Sequence, residues 1–148
     1  MKFFLMVFCI FLLWTNQSSA SGYKGLLDEK EVKCLAQMIY SEARGEGQKG
    51  MVAVAYVAIN RAEDPKYPKT MCAVVKQPYQ FEGMTKPFKP EQEPSAWKQA
   101  KDVAILTMTG MLPDITNGAK YFHTPDILPS WAKVKERVYL LGNHIFYR

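Results

Sequence analysis

Glu42 is the residue whose setting most invites chemistry. It takes the next place in the apolar series Leu35, Met38, Ile39, at the spacing of one helical face, so a carboxyl falls where a core-facing side chain belongs. Such breaks in patterning concentrate at functional sites. A carboxyl at the rim of an apolar stripe has its ionised form penalised, which raises its pKa above the roughly 4.3 of free glutamate and lets it keep a proton to donate. Protonation of a leaving oxygen is what glycoside cleavage requires. The competing reading turns Glu42 out to solvent at the helix end, or pairs it with Arg44 or Arg61.

Glu46 lies four residues on, and a helical pair at that spacing has Cβ atoms about 5–6 Å apart. Two acids on one wall cannot bracket a glycosidic bond from opposite faces of the sugar, and Gly45 breaks the helix between them. Glu46 therefore reads as a supporting residue or a solvated cap. His123 and His144 sit among aromatics at strand positions; either can orient a substrate, or be a hydrogen-bonded core residue. Tyr79, Tyr121, Trp131 and Tyr139 are available to stack on sugars, although aromatics at such positions commonly belong to the core. No G-x-S-x-G segment supplies a serine nucleophile.

Positioning Glu42 falls to a first helix over residues 28–44, with Asp28 as N-cap, Glu31 as its capping-box partner, and Gly45 and Gly47 as its stop. Residues 48–61 contain the run from Met51 to Ile59, apolar on all sides, which predicts a buried central helix ended by Glu63-Asp64-Pro65. Thr70 caps a short helix through Val75 that carries Cys72. From Lys76 to Pro94 the periodicity fails, broken by Pro78, Pro87, Pro90 and Pro94; so long a loop in a small domain reads as a mobile binding rim. Ser95 is expected to cap a helix with the face Trp97, Ala100, Ala104, Thr107 and Met108, closed by Gly110. The period then changes. Residues 119–123 alternate as a strand, and Gly142-Asn143 between 137–141 and 144–147 is a hairpin signal. The expected class is α+β, mostly helical with a small antiparallel sheet near the C-terminus.

The 148 residues are 48% hydrophobic and 22% charged, which excludes a disordered or fibrous chain. Residues 1–20 read as a secretory signal: Lys2, an apolar run from Phe3 to Trp14, and Ser18-Ser19-Ala20 before the cut, leaving a single domain over 21–148. The run is shorter than the about 20 residues a spanning helix needs, so no stable membrane insertion is expected after cleavage. Without Lys2 the formal charge falls from +5 to +4. The basic residues are scattered and form no nucleic-acid module, so an anionic polymer outside the cytoplasm is the better partner than nucleic acid. Cys9 leaves with the signal, and Cys34 and Cys72 remain as an even pair in an exported protein, which predicts a disulfide; two separate buried thiols are the alternative. With two mature cysteines and two histidines lacking short ligand spacing, neither a metal site nor a cofactor is expected.

The run Cys34-Leu-Ala-Gln-Met-Ile-Tyr40-Ser-Glu42-Ala43-Arg44-Gly45-Glu46, followed by Gly50-Met-Val52-Ala53-Val54-Ala55 and Asn60-Arg61, resembles the catalytic core of the SleB/CwlJ-type cell wall hydrolases. Later segments keep the order: Tyr67-Pro68, Cys72-Ala-Val-Val75, Gln80-Phe81, Pro113-Asp114, Gly118-Ala119, Tyr121-Phe122-His123, Trp131 and Gly142-Asn143-His144-Ile-Phe146-Tyr147. The resemblance implies a lysozyme-like α+β fold with Glu42 as the catalytic acid acting on peptidoglycan glycan strands, mainly by lytic transglycosylase chemistry. It implies a cleft in which Glu46, Gln80, Phe81, Tyr121, His123, Trp131 and His144 contact substrate, in a monomer secreted or held in the periplasm. One departure stands out: many relatives continue Gln80-Phe81 with Ser-Trp, where this chain has Glu82-Gly83, an extra carboxylate by the cleft. Spore-lytic members carry a separate peptidoglycan-binding domain; a secreted catalytic domain alone fits wall remodelling or phage-encoded lysis. Muramidase hydrolysis at the same site, cleavage of the muramoyl-alanine amide, and wall binding without catalysis are the alternatives. The amide reaction normally uses a metal or an activated nucleophile.

Overall fold

Asp28 opens α1 (Glu29–Ala43): its backbone is extended and its Oδ1 accepts the Lys30 N–H at 2.8 Å, satisfying a donor that a helix start leaves unpaired. The structure, a computed structural model, describes residues 27–148; the leader expected over residues 1–20 lies outside them. Glu31 does not complete the expected capping box. Its Oε2 accepts the Cys72 N–H at 3.1 Å instead, because the first turn of α3 (Met71–Val75) packs against α1 and has its own unpaired donors to satisfy. The Cys34–Cys72 disulfide joins the same two helices, with Cα atoms 5.1 Å apart across 38 residues of sequence.

The buried central helix is α2 (Gly47–Glu63), whose residues from Gly50 to Ala58 are all buried. Packed against it and α1 is α4 (Pro94–Met108). Ser95 does not cap α4. Pro94 takes the first helical turn, where its missing N–H costs nothing, and Glu93 stands at the N-cap without a side-chain bond. The segment 76–94 contains two short 3₁₀ turns, Glu82–Thr85 and Pro90–Gln92. It is pinned rather than free. Phe81 is 3% exposed, and Phe88 packs edge-on against Trp97 and Tyr40 with ring centroids 5.1 and 5.6 Å away.

Three antiparallel strands in the order β1-β3-β2 complete the domain: β1 (Tyr121–His123), β2 (Arg137–Leu141) and β3 (His144–Tyr147). The expected hairpin joins β2 to β3, with Gly142 at φ +53°, a conformation open to glycine at little cost. The first strand is shorter than the 119–123 expected, but Lys120 N still bonds Tyr147 O at 2.8 Å. The sheet is tied to α2 by Asn60, whose Nδ2 donates to Ala119 O and Asp114 Oδ2, both at 3.0 Å, and by Arg61, whose Nε donates to Lys120 O at 2.7 Å. The α+β class expected from the sequence is the one observed.

Candidate active site

Glu42 is half-buried in the last turn of α1, where the apolar stripe Leu35, Met38 and Ile39 is fully buried. Neither arginine neutralises it. Arg44 Nε pairs with Glu93 at 2.8 Å, and Arg61 is spent on Lys120 O. The partner Glu42 does have is the backbone of the 76–94 segment: Gly83 N–H donates to Oε1 at 2.6 Å. Burial raises the pKa of Glu42 above the ordinary glutamate range; the Gly83 bond pulls it down, Glu82 pushes it up and Lys86 pulls it down, and burial dominates.

Gly83 sits where it does because it is glycine. A Cβ there would lie 2.7 Å from Ser41 O and 2.9 Å from Glu42 Oε1, distances that side-chain carbons do not adopt. The loop backbone is thus laid directly on the end of α1.

Glu46 stands four residues on, at the N-cap of α2, and makes no cap bond. Its carboxylate instead accepts the Asn143 N–H at 3.1 Å and the Asn143 Nδ2 at 3.2 Å. The junction of α1 and α2 is therefore tied to the loop through Glu42 and to the β2–β3 hairpin through Glu46. A side chain on Gly142 would collide with the Glu46 carboxylate. His144 follows in β3, buried, with Phe122 edge-on at 5.0 Å. Burial lowers its pKa, opposed by the charge of Glu46.

With this geometry in place, comparison with known proteins is decisive for the family. A family model described as Cell Wall Hydrolase matches residues 45–147. The chain belongs to that family. It is similar to the spore cortex-lytic enzyme of Bacillus subtilis strain 168, 29% identical over 128 residues, which are 86% of this chain and 40% of that protein. The spore cortex-lytic enzyme of Halalkalibacterium halodurans is 28% identical over 135 residues, 88% of this chain and 38% of that protein. The chain thus spans about two-fifths of the length of these relatives. Among solved structures, the catalytic domain of the Bacillus cereus SleB protein is similar at a TM-score of 0.67 and 26% identity, covering 82% of this chain and 91% of that one. The catalytic domain of the germination-specific lytic transglycosylase SleB from Bacillus anthracis gives the same score and identity, covering 82% and 97%.

The region matched to the Cell Wall Hydrolase family begins three residues after Glu42. The role of that side chain accordingly rests on its setting. The other residues expected to line the cleft are divided by the fold. Gln80 is exposed in the loop beside the buried Phe81, whose ring lies 6.3 Å from Phe122 and 5.0 Å from the Arg61 guanidinium, so that it serves the core and offers a glycan no face. Tyr121, His123 and Trp131 belong to a cluster of their own, with Trp131 5.4 Å from Tyr121 and 5.6 Å from His123. His123 is buried, its ring nitrogens within 2.8 Å of Thr124 O and 3.0 Å of Tyr147 Oη. No hydrogen bond joins that cluster to Glu42 among the described residues. Tyr79, by contrast, is wholly exposed.

Two members of the site have no signature in the spacing of residues. One is the Gly83 N–H, since a glycine in a proline-broken loop reads as a turn. The other is Asn143, legible only as a hairpin residue. Both act across more than 40 residues of sequence.

Proposed function

We propose that the chain cleaves the β-1,4 bond between N-acetylmuramic acid and N-acetylglucosamine in peptidoglycan, as a lytic transglycosylase with Glu42 as acid and then base. What supports this most is the state of that carboxyl: half-buried, without a cationic partner, and held by one backbone N–H. Gly83 donates to Oε1, and Oε2 makes no hydrogen bond among the described residues, so the proton is assigned to Oε2. Oε2–H protonates the glycosidic oxygen as its bond to C1 breaks. The N-acetyl group of the sugar stabilises the oxocarbenium-like centre, a substrate-assisted variant that needs no second carboxylate. The Glu42 carboxylate then takes the proton of the 6-hydroxyl as its oxygen closes on C1, giving a 1,6-anhydro ring with no water consumed. Water admitted at that moment gives muramidase hydrolysis instead. On this reading residues 1–20 direct the chain out of the cytoplasm, where a Cys34–Cys72 disulfide is stable.

The acid must be protonated to act, so the raised pKa of Glu42 sets the alkaline limb of activity above the range of an ordinary carboxyl. Glu82 contributes to that elevation. Glu82→Gln is expected to move the limb to lower pH, since a neighbouring negative charge that favoured the protonated form is gone. Kcat/KM of purified glycan strands across pH reads this directly; an unmoved limb separates Glu82 from the acid.

Gly83→Ala tests the loop contact. The added Cβ meets a backbone carbonyl that cannot swing aside, so the loop must lift and its N–H leaves Glu42. Misplacement on the order of 1 Å costs about 100-fold in rate. Glycan cleavage should fall by that order with a small change in melting temperature. Activity retained with Glu42 unheld would contradict the positioning.

A further inference from the structure

Beside the end of α1, and walled in part by Gly83, lies a recess of about 90 Å³. Its wall includes Ser41 and Gly83, the neighbours of Glu42 in sequence and in hydrogen bonding, while Glu42 itself does not line it. Three cations border it, Arg44, Lys86 and Lys89, against one carboxylate, Glu93. Arg44 is held: its Nε is engaged by Glu93 at 2.8 Å and its guanidinium lies 5.2 Å from the Tyr40 ring centroid. Its two terminal amino groups make no hydrogen bond among the described residues. Neither lysine makes a salt bridge there. This is a pre-set fork with two further positive charges, the arrangement that suits a carboxylate.

We propose that this recess binds a carboxylate of the peptide stem that peptidoglycan carries on the lactyl group of its N-acetylmuramic acid. The inference rests on glycan cleavage at Glu42, and it adds a preference for peptide-bearing over bare strands. Placement supports it. The stem leaves the same sugar whose bond Glu42 would protonate, and two extended residues give it about 7 Å of reach. A strand without its stem carries one carboxylate per N-acetylmuramic acid, on the lactyl group, and the stem carries further ones, so a recess bordered by two lysines without salt bridges and by Arg44 gains more from the stem.

The test compares kcat/KM on peptide-bearing strands with that on strands stripped of their stems by an amidase, which leaves the lactyl carboxylate in place of each stem and so separates a stem carboxylate from that one, for the wild type, Lys89→Ala and Lys86→Ala/Lys89→Ala. Wild type should prefer the peptide-bearing strands, and raised salt should weaken the preference. The ratio should fall about threefold in Lys89→Ala and about tenfold in the double variant. Lys86 also acts on the charge state of Glu42, whereas Lys89→Ala carries no such effect, so the single variant isolates the subsite. Equal ratios in all three proteins overturn the proposal while leaving glycan cleavage in place. Wild type that cuts neither substrate overturns both.

Discussion

Glu42→Gln is expected to remove nearly all glycan cleavage, by about 10²–10⁴-fold, the range that general acid catalysis supplies, while the fold persists. Glutamine keeps an acceptor for the Gly83 N–H and almost the same volume, so the loop contact survives. What it lacks is a proton to give. Stability separates this from damage. The folded-state pKa of Glu42 is raised, so the fold favours the protonated side chain, and that advantage is lost as pH rises through the folded value. At neutral pH the ionised carboxylate costs stability and the amide does not. Glu42→Gln should therefore melt no lower than wild type at pH 7, the gap closing toward acid pH. A variant both inactive and less stable would indicate a structural carboxylate. Glu46→Gln should be far milder in rate, because its carboxylate is committed to Asn143.

The second large effect is on stability. Replacing both cysteines, Cys34→Ala/Cys72→Ala, should cost about 4 kcal/mol, because the bridge closes a 38-residue separation and the chain-entropy relation gives that order for such a loop. The bridge also reinforces a small contact. Its helix α3 has only five residues, held otherwise by the Glu31 bond to Cys72 N and by the buried side chains of Met71, Val74 and Val75. Urea denaturation of the oxidised protein against the double variant measures the loss. A change under about 1 kcal/mol would mean that the unfolded chain is constrained in other ways.

Much of the frame was legible because it is local. The series Leu35, Met38, Ile39 turns one face of α1 inward and carries Glu42 to its edge; the apolar run 51–59 of α2 has nowhere to be but the centre; Gly142-Asn143 supplies the turn its strands need. Local signals also compete, and there the outcome went elsewhere. Ser95 is a good cap residue, yet Pro94 before it is better used inside the first turn. Glu31 has capping-box spacing, yet an unpaired N–H brought up by α3 is the stronger claim on it. Within the candidate site, a half-buried carboxyl at Glu42 could be expected from patterning. The contact that holds it could not, since the approach of Gly83 to Ser41 and Glu42 depends on how Phe81 and Phe88 anchor a segment with no periodicity of its own. Aromatic residues were the least legible of all: Phe81, Tyr121 and Trp131 have the same chemistry whether they face a sugar or each other.

Mass spectrometry of the products released from purified sacculi tests the central claim most directly. Glycan cleavage through Glu42 without water predicts muropeptides ending in 1,6-anhydro-N-acetylmuramic acid, lighter by one water than reducing-end products, and none from Glu42→Gln. Free stem peptides released from intact glycan strands would contradict it.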